Sequence, residues 1–424
     1  MNKHTIHIYT LILTACFSLV GVEFIQAQNN TRNPYSMYGL GELKPQVNIV
    51  TSGMGNTGIA IQNSKFINML NPASYQGVDS CSVIFDSGVD AKYSNFKQGN
   101  DDNQTFNANF SYFALACRLS PKFAMGLGLN PYSSSGYEIY TTAEIEGTIA
   151  SYPIVTTGDG DISRAYLALS YAPFKNFSLG VKGSFLFGKR SQTEIHDISI
   201  LSGYSSTVTV SNLTSDYFYN FYFELGAQYQ FNIKNNTIGL GAVVTPKQGL
   251  VTHRETASYS SLGVVYDEGS TGTSEYPMPL SVGVGISFDT HKHFLFALDM
   301  GMQNWSDYHY AIKKADLTNN PYVNFGMEYT PSQNFLAPFF QRVNYRFGAR
   351  YQEDYLVLRG NQLKDIAIST GMGFPIRKGT SRIDLSVELG SYGTQRSNLI
   401  RENYVRLRLG FSMHDIWFQM RRFN

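Results

Sequence analysis

From residue 219 to residue 231 the chain reads YNFYFELGAQYQF, and the side chains fall into two sets. Tyr219, Phe221, Phe223, Leu225, Ala227, Tyr229 and Phe231 share one face of an extended strand, while Asn220, Tyr222, Glu224, Gly226, Gln228 and Gln230 share the other. Only a strand lying between an apolar and a polar medium needs this period of two. The pattern recurs. Phe294, Phe296, Leu298 and Met300 alternate about Asp299; Ile383, Leu385, Val387 and Leu389 alternate with Asp384 and Glu388. Tyr345, Phe347, Ala349 and Tyr351 alternate with Arg346, Gly348 and Arg350, and Val405, Leu407, Leu409 and Phe411 with Arg406 and Arg408.

Composition decides which two media these are. The chain holds 29 Tyr, 29 Phe and 38 Gly, and beyond its N-terminal leader it has no apolar run long enough for a membrane helix. A soluble sandwich would collect its aromatics in a core and leave polar outer faces. Here aromatics recur near the ends of many segments, as a girdle at a bilayer interface requires. The expected fold is therefore all-β: a closed antiparallel 14-stranded transmembrane β-barrel, because lipid cannot hydrogen-bond an open sheet edge.

Fourteen segments, the first at 82–95 and the last at 401–412, carry the pattern at barrel-strand length. Short turns at 119–123, 172–177, 231–237, 289–293 and 374–380, with a longer one at 330–342, alternate with polar connections at 96–103, 139–160, 194–216, 253–278, 306–320, 354–363 and 394–400. The short set is expected at the periplasm and the other outside, with both chain ends periplasmic. Tyr259, Tyr266 and Tyr276 then belong to the outside connections, as an entry groove or as interface anchors.

The N-terminus places the barrel in a compartment. A basic start, an apolar run from about Ile8 to Ile25 and the small residue Ala27 read as an export signal, 1–27; lipidation at Cys16 is the alternative. Net charge is +1, which offers no basic surface for nucleic acid. Cys81 and Cys117 form no disulfide framework, and the histidines reveal no metal or nucleophile constellation, so neither an enzyme nor a cofactor is expected.

Residues 28–80 precede the barrel proper, 81–424. They are too rich in Gly, Asn and Pro for one regular element, yet too apolar for an obvious tail. Ile59 to Leu70 suits a short helix ended by Asn71-Pro72. Gly53, Gly55 and Gly58 permit tight turns and close approach to a wall. A hatch tucked into the periplasmic half of the lumen fits these constraints; an arm binding a periplasmic partner is the rival placement.

The run TSGMGNTGIAIQNSKFINMLNPASYQGVD followed by fourteen strands resembles the FadL/TodX family of outer-membrane transporters. The resemblance rests chiefly on Gly53 to Val78, with Asn71, Pro72 and Ala73 at its Asn-Pro-Ala motif, and the ending WFQMRRFN is similar to Bacteroides-type members. The resemblance implies a hatch that gates passive uptake of hydrophobic small molecules across the outer membrane of a Gram-negative bacterium, among lipid and lipopolysaccharide. It also implies a lateral exit at an inward kink of the third strand, here at Pro131 and Gly136. Arg346, Arg350, Arg406 and Arg408 are candidate lumen contacts for a carboxylate-bearing ligand, or else structural partners of barrel carboxylates. The alternative function is a non-transporting barrel serving as a platform for a periplasmic or surface protein in secretion or surface attachment.

Overall fold

The computed structural model describes residues 33–145, 147, 151–199, 208–263, 265–306, 316–334, 336–376 and 381–416. The expected export signal and the C-terminal residues Trp417 to Asn424 lie outside these residues.

Backbone pairing closes the sheet on itself. A two-residue strand, β1 (Glu42–Leu43), lies ahead of the wall, which begins with β2 (Ser82–Gln98), β3 (Asp101–Arg118), β4 (Phe123–Glu144), β5 (Ser151–Phe174), β6 (Phe177–Asp197) and β7 (Thr209–Ile233). It continues through β8 (Asn236–Thr245), β9 (Gln248–Ser260), β10 (Val265–Met278), β11 (Ser281–Asp289) and β12 (Phe294–Gln303), then a short β13 (Asp316–Leu317) and β14 (Asn320–Tyr329). β15 (Asn344–Leu358), β16 (Asn361–Ile376), β17 (Ser381–Gly393) and β18 (Arg401–Ile416) complete it. Each stave pairs antiparallel with its neighbour, and β18 returns to β2 from Arg401↔Lys97 to Ile416↔Ser82. β8 with β9 forms one stave interrupted at Pro246-Lys247, and β10 with β11 forms the next, interrupted at Pro279-Leu280. The closed barrel thus has the fourteen staves expected of it.

The alternation partitions as the sequence demanded. Phe221 is 70% exposed on the outer face and Glu224, three residues on, is 4% exposed inside. Phe294, Met300, Ile383, Leu389, Val405, Leu407, Leu409 and Phe411 also face outward, while Asp299, Asp384, Glu388, Arg406 and Arg408 are buried. One apolar core lies inside the barrel at the short-turn end, where Ile49, Ile67, Met69 and Tyr75 of the segment before the wall pack on Ile84, Tyr112, Ala114, Tyr166 and Ala168, and others, around Leu40 with Phe218 and around Tyr35 with Trp305, lie toward the long-connection end.

Several predicted loops are strand. The connections expected at 139–160 and 253–278 are largely the extended ends of β4, β5, β9 and β10, and those at 96–103 and 354–363 shrink to tight turns at Gly99 and Arg359-Gly360. Beyond the apolar band both faces of a strand meet water, so the period-two signal fades although the ladder continues. Tyr276, expected in an outside groove, is buried, and its hydroxyl donates to Asp216 at 2.6 Å. Tyr259 is exposed on β9, and the Tyr266 side chain lies outside the described residues.

Candidate functional site

The lumen is occupied by the chain's own residues 33–78. This segment carries a 3-10 turn (Pro34–Met37), β1, one turn of helix α1 (Ile49–Ser52) and a second 3-10 turn (Pro72–Gly77). Ile59 to Leu70 is irregular rather than helical, because asparagine side chains outcompete helical backbone bonding there. Asn68 Nδ2 donates to Gly58 O at 2.6 Å and Ile61 O at 2.9 Å, and Asn48 Nδ2 donates to Ile67 O at 2.7 Å. Asn71-Pro72 starts a turn instead of ending a helix: Asn71 Oδ1 accepts from Ala73 N at 2.9 Å, with Pro72 in the first turn position.

Wall side chains hold this backbone from several directions. Asp299 Oδ2 on β12 accepts from Gly58 N at 2.6 Å and Ile59 N at 2.9 Å. Ser369 on β16 accepts from Gly55 N at 2.9 Å, Gln228 on β7 donates to Ile59 O at 2.8 Å, and Ser170 on β5 donates to Ala73 O at 3.1 Å. Asn71 Nδ2 donates to Ala227 O at 3.2 Å.

Glycine makes the approach close enough. Gly55 has φ +68°, and a Cβ there would lie 2.7 Å from Phe325 O. A Cβ on Gly53 would lie 3.2 Å from Gly371 Cα, and one on Gly58 2.9 Å from the Leu70 side chain. Wall glycines reciprocate: Gly180 abuts Pro72 and Ala73, Gly226 abuts Asn71, and Gly348 abuts Met54 and Gly55. All six residues expected in the hatch, Gly53, Gly55, Gly58, Asn71, Pro72 and Ala73, therefore lie inside the barrel, and each lies close to the wall or to a neighbouring turn of the segment.

The four candidate arginines are ion-paired. Arg346 meets Glu328 at 2.6 Å and Asp384 at 2.7 Å. Glu388 gathers the other three, with Arg350 and Arg408 each at 3.1 Å and Arg406 at 3.7 Å. Arg350 also reaches Asp365 and the Tyr404 hydroxyl, each at 2.8 Å. A second network, not anticipated, joins Glu224 to Lys182 at 2.9 Å and to Gln46 of the luminal segment at 3.0 Å. Glu42 links the segment to the first network through Lys44 at 3.0 Å, Lys92 at 3.7 Å and Arg406 at 3.6 Å. Burial works to raise the Glu42 carboxyl, but Lys44, Lys92 and Arg406 together hold it well below the usual carboxylate range.

Between the outer and inner parts of the luminal segment lies a chamber of about 320 Å³. Glu42, Lys44 and Gln46 bound one side, Asn56 and Ile59 another, and Lys92, Glu224, Asp299, Arg350, Asp365 and Arg406 stand on the wall. Arg350 and Arg406 thus border it, whereas Arg346 and Arg408 are not among the residues lining it. Tyr35, Leu43, Val47, Ile59, Leu70 and Tyr322 share the lining with these charged groups, so the chamber offers apolar and polar surface side by side.

The wall is interrupted in two places. Pairing of β3 with β4 stops at Phe113↔Leu129. Beyond it β4 turns into the lumen, with Tyr132 to Ser135 buried and the luminal segment hydrogen-bonded to it: Lys44 N to Tyr132 O at 2.9 Å, Asn33 N to Gly136 O at 2.8 Å, and β1 against Ser133 and Ser134. Pro131 marks a register shift against β5 at this departure, and Gly136 lies in the tucked stretch. Asn33 therefore sits toward the long-connection end, and the segment fills both halves of the lumen rather than the expected periplasmic half alone, because β4 offers it backbone partners there. The second interruption, beside Tyr219 to Glu224 of β7, was missed. There Asn220 exchanges two hydrogen bonds with the Val251 backbone and Gln248 exchanges two with the Phe223 backbone, each amide standing in for a strand. Two prolines at matched height, Pro246 and Pro279, were the available signal.

The family described as BamG matches residues 6–424. Among solved structures, the toluene transporter TbuX of Ralstonia pickettii is 15% identical, with 87% of this chain and 98% of that chain covered and a TM-score of 0.56. The Pseudomonas putida toluene transporter TodX is 15% identical over 89% and 99%, TM-score 0.58; a Pseudomonas aeruginosa FadL homologue is 14% identical over 89% and 100%, TM-score 0.58. No curated protein sequence matches the chain. At such identities the likeness to TbuX, TodX and the FadL homologue is one of fold, and the family assignment rests on the match along nearly the whole sequence. The chain belongs to the BamG family and has the 14-stranded fold of FadL-type channels.

Proposed function

We propose that this barrel serves in the outer membrane as a platform for a partner protein, with its lumen held shut. The short-turn end faces the periplasm and the other end the exterior, as the asymmetry of such barrels supports. The observation that carries this reading is the charged lumen: Glu42 and Gln46 tie the luminal segment into both ion-pair networks. A hydrocarbon gains only about 25 cal/mol per Å² of apolar surface buried, and in this chamber that gain is set against the desolvation of Glu42, Lys92, Glu224, Arg350 and Arg406, which line it too.

The outer surface supports a docking role. β7 runs for 25 residues whereas β17, opposite it in the barrel, has 13. At about 3.3 Å per residue, less the tilt, the β4 to β10 side rises roughly 25 Å or more above the other.

A second reading, passive uptake of hydrophobic small molecules, draws on the shared fold with the toluene transporters TbuX and TodX and is favoured by the parting of β3 from β4. Pro131 and Gly136 then mark a lateral exit. One experiment separates the two. Proteoliposomes with the full chain, or with residues 30–79 deleted, are tested for ion and hydrophobic-probe flux, and the full chain is purified from native membranes. The platform reading expects no flux of either kind through the full chain, ion flux through the deletion, and a stoichiometric partner. Rapid probe flux through a full chain that purifies alone would defeat it.

A further inference from the structure

The longest described turn at the periplasmic end, 330–343, carries a surface that neither the lumen nor the exterior uses. Its described residues, 330–334 and 336–343, are tied together: Ser332 N donates to Gln341 O at 2.7 Å, and Phe339–Arg342 makes one turn of helix. Nevertheless Leu336 is 77% exposed and Phe340 74%. Apolar side chains so exposed and so close together need a partner, since neither touches the barrel interior.

The partner is indicated by where the turn lies. Phe339 stacks on Phe374 at 6.2 Å with the rings 4° from parallel, and Phe374 belongs to the outward set of β16 that includes Ile366, Ile368 and Met372. The Tyr345 hydroxyl donates to Phe340 O at 3.0 Å, and Tyr345 precedes the outward Phe347 in the same alternation. The turn is therefore folded back onto the lipid-facing side of the wall, and its apolar surface continues the lipid-facing band. Leu119, Phe174 and Ile233, exposed at other short turns, extend the same rim around the barrel.

The cation of the turn fits the same place. The half-buried Arg342 carries its guanidinium over the Phe339 ring at 5.9 Å, on the same side of the turn as the apolar surface. Apolar groups immersed to the depth of the acyl carbonyls with a cation at head-group level is the arrangement of an interfacial anchor.

We propose that the turn 330–343 is a lipid-binding foot: Leu336, Phe339 and Phe340 enter the periplasmic leaflet beside the barrel, and Arg342 meets a phospholipid phosphate. The foot would fix the depth and rotation of the barrel whichever partner docks outside.

The test is a Phe340→Trp full-length protein in phosphatidylethanolamine/phosphatidylglycerol vesicles, with the wild-type spectrum subtracted to remove Trp305 and Trp417. The new emission is expected to be blue-shifted and quenched more strongly by lipids brominated near the head group than near the chain end. Leu336→Trp, on the same exposed surface, repeats the measurement should the first variant misfold. Emission that is red-shifted and unquenched for both variants overturns the proposal. A blue shift in native membranes that is absent from vesicles also overturns it, and assigns the surface to a periplasmic protein.

Discussion

Replacing Asp299 tests whether the luminal segment is a separable, latched element. Its Oδ2 accepts two backbone N–H groups, Gly58 at 2.6 Å and Ile59 at 2.9 Å, at a glycine-rich turn with little regular structure of its own. A hydrogen bond to a neutral acceptor contributes about 0.5–1.5 kcal/mol and one to a charged acceptor about 1.5–3, so losing both in Asp299→Ala removes at least about 1 kcal/mol and up to about 6 from the seated state. Asp299→Asn keeps an oxygen acceptor for both donors at about 1 kcal/mol each and loses less. At one decade per 1.4 kcal/mol, the released state should rise at least roughly five-fold in the alanine variant and by a smaller factor in the asparagine variant. The backbone pairs of Asp299, to Gly285 and Asn324, are untouched, so the wall should stay folded. Planar-bilayer recording reads the change as opening frequency, and the temperature at which the folded form loses its fast gel migration checks the wall. An alanine variant as quiet as wild type, or an asparagine variant that opens as often as alanine, would refute the latch.

Other perturbations probe the remaining contacts. Glu388→Ala leaves Arg350, Arg406 and Arg408 without their shared carboxylate; breaking such a buried set should cost about 3–5 kcal/mol and lower the barrel's unfolding temperature, with Glu388→Gln milder. Gly180→Val drives side-chain atoms into the backbone at Pro72 and Ala73, and overpacking of about 1–3 kcal/mol should expose the luminal segment to added protease while the wall stays resistant. Glu42, depressed by its cations, stabilises the docked segment above its ordinary pKa near 4.3 and loses that contribution only as pH falls through the lower folded value. The difference in protease susceptibility of that segment between wild type and Glu42→Gln should therefore be constant from pH 8 to about pH 5 and vanish only in strong acid. A difference that vanishes near pH 6 would show that Glu42 does not hold the segment.

The barrel was legible because hydrocarbon and an enclosed polar lumen impose opposite demands on neighbouring side chains. Phe221 beside Tyr222 and Glu388 beside Leu389 record that demand residue by residue, and the glycine spacing at Gly53, Gly55 and Gly58 marked a backbone pressed against something. Where water lies on both sides, as along the outer parts of β9 and β10, the pattern carries no such record and strand was read as loop. The false helix at Ile59 to Leu70 has a related cause. Asn68 and Asn71 bond to backbone groups several residues away, and that choice depends on a wall the local sequence does not contain. Which carboxylate faces which guanidinium, that Gln46 and Glu42 bridge the luminal segment to the wall, and that β4 abandons β3 above Leu129 were decided only when strands distant in sequence closed into a barrel. Periodicity is a property of one strand in its medium, whereas pairing depends on which strand stands opposite.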